Sequence, residues 1–249
     1  ETIYFGAFKS NVSLDEKLQF EDNWSTSYYD TKQKKEIIID KKSSNRLSRF
    51  EIGTHGLADN RPSTLILKKE NGNYETNLQF VSYKTFSGYP IYQNMPHAHG
   101  GNVDTIQFIL RDEFNLKIEV KYNISIDLEK NIIVKNFEIN NAGDEQITIL
   151  KASSLCLDLT TDQYDVHHFA GRWGRERREK INPIIDGEQI IASNYGRSSH
   201  EENPFVFLTN KINNEVIGFN VIYSGNFKFS IFNDFQNCPR ITYGLNDYN

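Results

Sequence analysis

Few places in this 249-residue chain combine residue types that could do chemistry. His97-Ala98-His99 sets two imidazoles two residues apart, a spacing that on a strand turns both rings to one face, as metal ligands require. No nearby Glu with a downstream Gly/His motif completes a ligand set, and Pro96–Asn102 reads as a loop, so no metal is expected. Ser198-Ser199-His200 places a nucleophile beside a base, but a catalytic triad is a spatial arrangement that adjacency in sequence does not create. There is no Gly-x-Ser-x-Gly elbow and no Gly-Lys-Ser/Thr phosphate loop. Gly171-Arg172-Trp173-Gly174-Arg175-Glu176-Arg177-Arg178-Glu179-Lys180 is the densest charge cluster. Its interleaved glutamates argue against a phosphate-binding surface. Arginine's planar fork suits fixed carboxylate pairs and aromatic stacking, so a structural network at a domain boundary is expected there. In Gly56-Leu57-Ala58-Asp59-Asn60-Arg61-Pro62 an acceptor and a donor fork stand two residues apart, stiffened by proline. Sugar hydroxyls want that combination. From residue types alone the plainer reading is a surface ion pair worth ~0–1 kcal/mol.

The elements that must position these groups read as strands. Phe114, Leu116, Ile118, Val120, Tyr122, Ile124, Ile126 and Leu128 alternate with polar residues, which predicts one long strand with its apolar side chains on one face and the other face solvated. Ile132–Ile139 and Ile147–Leu159 read as the next strands, joined through Asn140–Glu145 as an antiparallel hairpin. Apolar runs recur at Leu65–Leu67, Asn77–Phe86, Thr105–Leu110, Gln189–Ala192, Pro204–Leu208, Glu215–Tyr223 and Phe227–Phe232, separated by Asn/Gly/Asp turns. Short strands at that spacing, with no convincing amphipathic helix, predict an all-β antiparallel sandwich. The mixed charge run Asp30–Lys42 reads as a solvated strand edge or loop, and no repeat or linker divides residues 1–249.

Composition excludes other classes. The chain carries 28 Lys+Arg against 33 Asp+Glu, a net charge of −5, so it offers no broad field for nucleic acid. No apolar run approaches the ~18–20 residues of a membrane-spanning helix, so no membrane is expected. Two cysteines, Cys156 and Cys238, are too few for a disulfide scaffold and read as buried thiols. No signal peptide is visible, and a cytoplasmic protein without a cofactor is expected.

Four ordered motifs then carry a family resemblance. Trp173-Gly174-Arg175-Glu176-Arg177-Arg178 is followed by Ser193-Asn194-Tyr195-Gly196-Arg197-Ser198-Ser199-His200-Glu201-Glu202-Asn203-Pro204-Phe205, by Tyr223-Ser224-Gly225-Asn226-Phe227, and by Arg240-Ile241-Thr242-Tyr243-Gly244-Leu245-Asn246. Together they resemble the N-terminal domain of glycoside hydrolase family 36 α-galactosidases. Gly56–Pro62 is similar to that family's Gly-x-x-Asp-x-Arg-x-Pro element, with Pro62 following Arg61 directly, and Ile3-Tyr4-Phe5-Gly6 resembles an early Leu-Tyr-Tyr-Gly stretch.

The resemblance implies a galactose-mutarotase-like β-supersandwich over residues 1–249, with the family's first strands and its catalytic (β/α)8 barrel outside this chain. It implies a parent enzyme that hydrolyses terminal α-galactosides of the melibiose or raffinose class with a retaining carboxylate pair in the barrel, so no catalytic residue is expected here. It further implies a homo-oligomer, a tetramer, in which Asp59 and Arg61 approach the galactoside in a neighbouring active site. Two readings compete with it. A freestanding carbohydrate-binding module needs an exposed Trp or Tyr on a shallow face, and Trp24 and Trp173 are the only tryptophans. A purely structural assembly domain would leave Asp59 without effect on activity.

Overall fold

The computed structural model describes residues 26–30, 35–39, 50–56, 59–197, 201–234 and 237–246. Sixteen strands and no helix occur among them. In chain order they are β1 (Thr26–Asp30), β2 (Lys35–Ile39), β3 (Leu65–Lys69), β4 (Leu78–Ser87), β5 (Val103–Asp112), β6 (Ile118–Asp127), β7 (Ile132–Asn141), β8 (Ile147–Ala152), β9 (Leu155–Asp158), β10 (Tyr164–Arg172), β11 (Arg175–Pro183), β12 (Gly187–Ser193), β13 (Glu202–Asn210), β14 (Val216–Asn220), β15 (Phe227–Asn233) and β16 (Arg240–Leu245). Every ladder is antiparallel. The pairing gives a β1-β2 ribbon, a β3-β8 pair, and three four-stranded sheets ordered β4-β5-β6-β7, β11-β10-β13-β14 and β12-β15-β16-β9. The expected all-β class is the observed one.

Two apolar cores result. In the first, Leu65 and Leu67 of β3 pack on Ile118 and Val120 of β6, with Ile139 of β7 and Ile147 of β8 at the margin. In the second, alternate residues of two sheets interdigitate: Val166, Val206 and Leu208 on one side, Phe227, Phe229, Ile231 and Ile241 on the other. Each such side chain contributes ~1.5–3 kcal/mol by leaving water, and Phe229 adds edge-on contact with Tyr243 at 5.1 Å between ring centroids.

The long alternating segment differs from its sequence reading in two ways. The strand starts at Ile118, because the Asp112 carboxylate accepts the Phe114 amide (3.2 Å) and the Asn115 carbonyl accepts the Ile118 amide (2.9 Å), closing a turn that leaves Phe114 and Leu116 exposed. Nor is its polar face solvated throughout: Glu119 and Lys121 are half-buried, and the second half of the face is closed off. Asn123 and Ser125 are fully buried, Ser125 against Thr105 (2.7 Å) and Asn123 bonded to Gln107 (2.7 Å), Asn136 (2.9 Å) and the Tyr92 hydroxyl (2.9 Å). The segment carrying Tyr92 covers this face, and hydrogen bonds replace water for each buried amide. Burial and the Glu138 carboxylate push the Tyr92 phenol up to about 12.

The expected hairpin through Asn140–Glu145 does not form. Instead β7 pairs with β6, while β8 leaves for β3. The connector is tied by the Asn141 side chain, which accepts from the Gly143 amide (3.1 Å) and donates to the Glu145 carbonyl (2.8 Å). The run Ile147–Leu159 is two strands, because β9 crosses to pair with β16. Part of the charge run Asp30–Lys42 forms the β1-β2 ribbon. Cys156 is buried and Cys238, expected to be buried as well, is half-buried; neither forms a disulfide among the described residues.

Candidate functional site

The Asp59/Arg61 loop is built from the backbone outward. The Gly53 carbonyl accepts from the amides of Thr64 (2.7 Å) and Leu65 (3.1 Å), which brings residue 53 beside the start of β3. The Asp59 carboxylate then organises the stretch that follows: its Oδ1 accepts from the Arg61 amide (3.1 Å) and Arg61 Nε (2.8 Å), and its Oδ2 from Arg61 Nη2 (3.1 Å). Neither side chain faces solvent. Both turn inward onto β9 and β16, where Asp158 and Arg240 lie directly opposite each other in register. Arg240 grips Asp158 with Nε on Oδ1 (2.7 Å) and Nη2 on Oδ2 (2.8 Å), and sends Nη1 to Asp59 Oδ2 (2.6 Å). Arg61 Nη1 closes the ring on Asp158 Oδ2 (3.0 Å).

The outcome is a buried square of alternating charge rather than a surface pair, with side-chain exposures from 0 to 6%. Unpaired, each ion would carry a desolvation penalty of several kcal/mol. Burial by itself would lower the Arg240 pKa; its hydrogen bond to Asp158 and the surrounding acids overcome that and hold the guanidinium charged beyond its ordinary range. Asp59 has both oxygens doubly engaged, so its four acceptor positions are filled. Beneath the square, burial pushes the Cys156 thiol up to about 12, with Arg240 opposing. A second junction joins Glu51 to the Tyr122 hydroxyl (3.0 Å) and to Lys135 Nζ (2.7 Å), and burial followed by the Glu51 charge raises the Tyr122 phenol well above its usual value.

Asp158 and Arg240 were not singled out by sequence as site residues. Arg240 stood in a quoted motif without a role. Asp158 ends an apolar run and carries no local signal at all. The other motif residues converge elsewhere, at one end of the β12-β15-β16 sheet. Asn226 accepts the Gly196 amide (2.6 Å), the Asn246 amide donates to the Asn226 carbonyl (3.4 Å), and the Asn246 side chain donates to that of Asn194. Tyr243 donates its hydroxyl to the Pro204 carbonyl. These asparagines and turns fasten chain segments distant in sequence.

The remaining candidates separate. His97 is half-buried with Nδ1 3.1 Å from the Met95 carbonyl, and His99 is exposed in the same loop. Among the described residues no group of three His, Cys, Asp or Glu is placed to hold a metal. Ser198, Ser199 and His200 lie outside the described residues, as do Leu57, Ala58, Trp24 and Ile3–Gly6. The arginine cluster is the tip and edge strand of the β10-β11 hairpin; Arg172, Arg175, Arg177 and Arg178 form no ion pair among the described residues, while Glu179 pairs with His167 (3.0 Å) and Lys180 with Glu202 (3.5 Å).

The geometry therefore defines a large antiparallel β-sandwich scaffold in which the charged groups near the loop are committed to one another. The model of the glycosyl hydrolase family 36 N-terminal domain matches residues 1–249, and the chain belongs to that family. It is 31% identical over 205 residues to the α-galactosidase AgaA of Geobacillus stearothermophilus, covering 80% of this chain and 28% of that protein. It is 31% identical over 252 residues to the bifunctional α-galactosidase/sucrose kinase AgaSK of Mediterraneibacter gnavus, covering 98% of this chain and 26% of that one. A crystal structure of a Geobacillus stearothermophilus AgaA variant in complex with raffinose superposes with a TM-score of 0.86 at 28% identity, over 98% of this chain and 34% of that one. The chain thus spans about a third or less of the length of these relatives.

Proposed function

We propose that this chain is the non-catalytic N-terminal domain of an α-galactosidase that hydrolyses terminal α-D-galactosides of the melibiose/raffinose class by a retaining mechanism in a following (β/α)8 barrel. We propose further that the parent enzyme is a homo-oligomer, in which this domain supports assembly and lends the Asp59/Arg61 loop to a neighbouring active site. The observation that carries the reading is the charge square. Retaining hydrolysis needs two carboxyl groups ~5–5.5 Å apart, one able to give a proton and one able to attack carbon. Asp59 and Asp158 are each held by two guanidinium groups and serve neither role. What they do instead is hold one loop in a single shape, and a pre-shaped loop lowers the entropy cost of meeting a sugar. Support for the substrate class comes from the relatives' names and from the raffinose complex of the AgaA variant.

The test uses the full-length enzyme. Asp59→Ala is expected to raise KM for raffinose at least tenfold while kcat changes less than threefold, and the 249-residue chain by itself is expected to show no turnover of an aryl α-galactoside. An unchanged KM in Asp59→Ala would leave the domain a purely structural one. Turnover by the purified chain would show that catalytic groups lie within it.

A further inference from the structure

Lys69 stands where the fold calls for an apolar residue. It ends β3 at the third inward position, after Leu65 and Leu67, and its side chain is only 6% exposed. Across from it lies Asp112, the fully buried last residue of β5, a strand of a different sheet. Lys69 Nζ is 2.8 Å from Asp112 Oδ2, yet neither atom makes a hydrogen bond among the described residues. The desolvation of two buried ions is offset only by close and well-aligned hydrogen bonds, and this pair is close without being aligned. The Phe114 ring lies 5.5 Å from Nζ, an apolar cover on the amine.

The other carboxyl oxygen is held quite differently. Asp112 Oδ1 accepts from the backbone amides of Asn77 (2.9 Å) and Phe114 (3.2 Å). Two backbone N–H groups on one carbonyl-type oxygen are the arrangement that stabilises the oxyanion of an acyl-transfer intermediate. The carboxyl group therefore has one oxygen in an oxyanion hole and the other against an amine. Fixing the amine there turns a bimolecular encounter into an intramolecular one, for which effective molarities reach ~10⁵–10⁸ M when the approach is right.

We propose that Lys69 and Asp112 form a self-modification site, where they condense to an isopeptide bond that joins β3 to β5. Nζ passes one proton to Oδ2, which leaves a neutral amine facing a neutral acid, the form that a dry site favours. The Nζ lone pair then attacks Asp112 Cγ, and the charge that develops on Oδ1 is met by the Asn77 and Phe114 amides. As the carbonyl re-forms, the Cγ–Oδ2 bond breaks, and Oδ2 leaves as water with a second proton from Nζ. Of the three ammonium protons, two depart in the water and one stays on the amide nitrogen. The step needs no oxidant, reductant or co-reactant. It deletes both buried charges, and the new bond ties the β3-β8 pair to the β4-β5-β6-β7 sheet. Such a tie restricts the unfolded chain as a disulfide does, and it secures the strand that follows the Asp59/Arg61 loop.

Intact-mass spectrometry of the full-length protein, purified folded and then denatured, tests the proposal. Most molecules are expected to be lighter than their sequence by one water, and a protease digest to contain a branched peptide joining the Lys69 and Asp112 segments. Lys69→Arg keeps a cation but removes the nucleophilic amine, and is expected to show no branched peptide and no loss of water. A full mass in most molecules of the unaltered protein would overturn the proposal, whether or not the variant folds. So would a loss of water that persists in Lys69→Arg. A lost water mapped instead to Asp186-Gly187, where backbone attack on an aspartyl carbon also expels water, would overturn it as well.

Discussion

Arg240 heads the fully buried side chains by volume, and a cation is the most expensive group to place there. It is tolerated because three guanidinium nitrogens, Nε, Nη1 and Nη2, each donate to carboxylate oxygens fixed by two independent parts of the chain, β9 and the loop at residue 59. Removing only the cation would strand Asp59 and Asp158 with Arg61 as their one remaining partner. Arg240→Met is therefore expected to cost ~3–5 kcal/mol in urea unfolding. Arg240→Met with Asp158→Leu, which removes a pair instead of one partner, is expected to recover part of that loss, and no recovery in the double variant would mean that the pair is not coupled. At this scale the sequence was partly legible. Asp59 and Arg61 were visible as a motif, but composition placed them on the surface, since nothing local announces that Asp158 and Arg240 will be brought beneath them.

Among the elements, β16 carries the most constraint. It lies between β15 and β9, and its two faces meet different cores: Ile241 and Tyr243 face the sandwich, while Arg240 and Thr242 face the loop and β8. Gly244 is the point of closest approach, where a Cβ would lie 2.4 Å from Ser153 Cα and 2.8 Å from the Ala152 carbonyl oxygen. Backbone cannot yield as a side chain does, so Gly244→Ala is expected to destabilise by ~1–3 kcal/mol or more. Gly218→Ala, whose Cβ would meet the Phe205 ring at an ordinary 3.8 Å, is the matched control and is expected to change the melting temperature little. Equal effects in the two variants would refute the close-packing account. The apolar runs foretold β3, β5, β12, β13 and β15 closely, because alternation and turn residues are local properties. They missed β10, β11 and β16, whose polar and charged residues hide the period: β11 is exposed along its whole length, and β16 is buried on both faces.

Over the whole molecule, buried groups that are neutral only while protonated set an alkaline limit. Burial pushes Cys156 from 9.0 to about 12 and Tyr92 from 10.0 to about 12, and it drives Tyr122 upward as well. A folded-state pKa raised above the unfolded value contributes stability that is complete below the unfolded value and is lost as pH rises through the folded one. Stability is therefore expected to be flat from pH 7 to 8.5 and to fall progressively between about 9 and 12, read as the urea midpoint at each pH. Cys156→Ala is expected to delay the onset toward the tyrosine range, and an identical slope in that variant would remove the thiol from the account.

The chain's own order of residues determined the all-β class, most strand positions and the family, because period-two alternation, turn chemistry and motif spacing are written in neighbouring residues. Tertiary structure alone decided that the second half of the polar face of β6 is covered, that β8 and β9 part company, and that Asp59 and Arg61 turn inward to Asp158 and Arg240. Each of those outcomes depends on a partner tens to nearly two hundred residues away, and a charge cannot reveal from its neighbours in sequence whether water or a buried counter-ion will meet it.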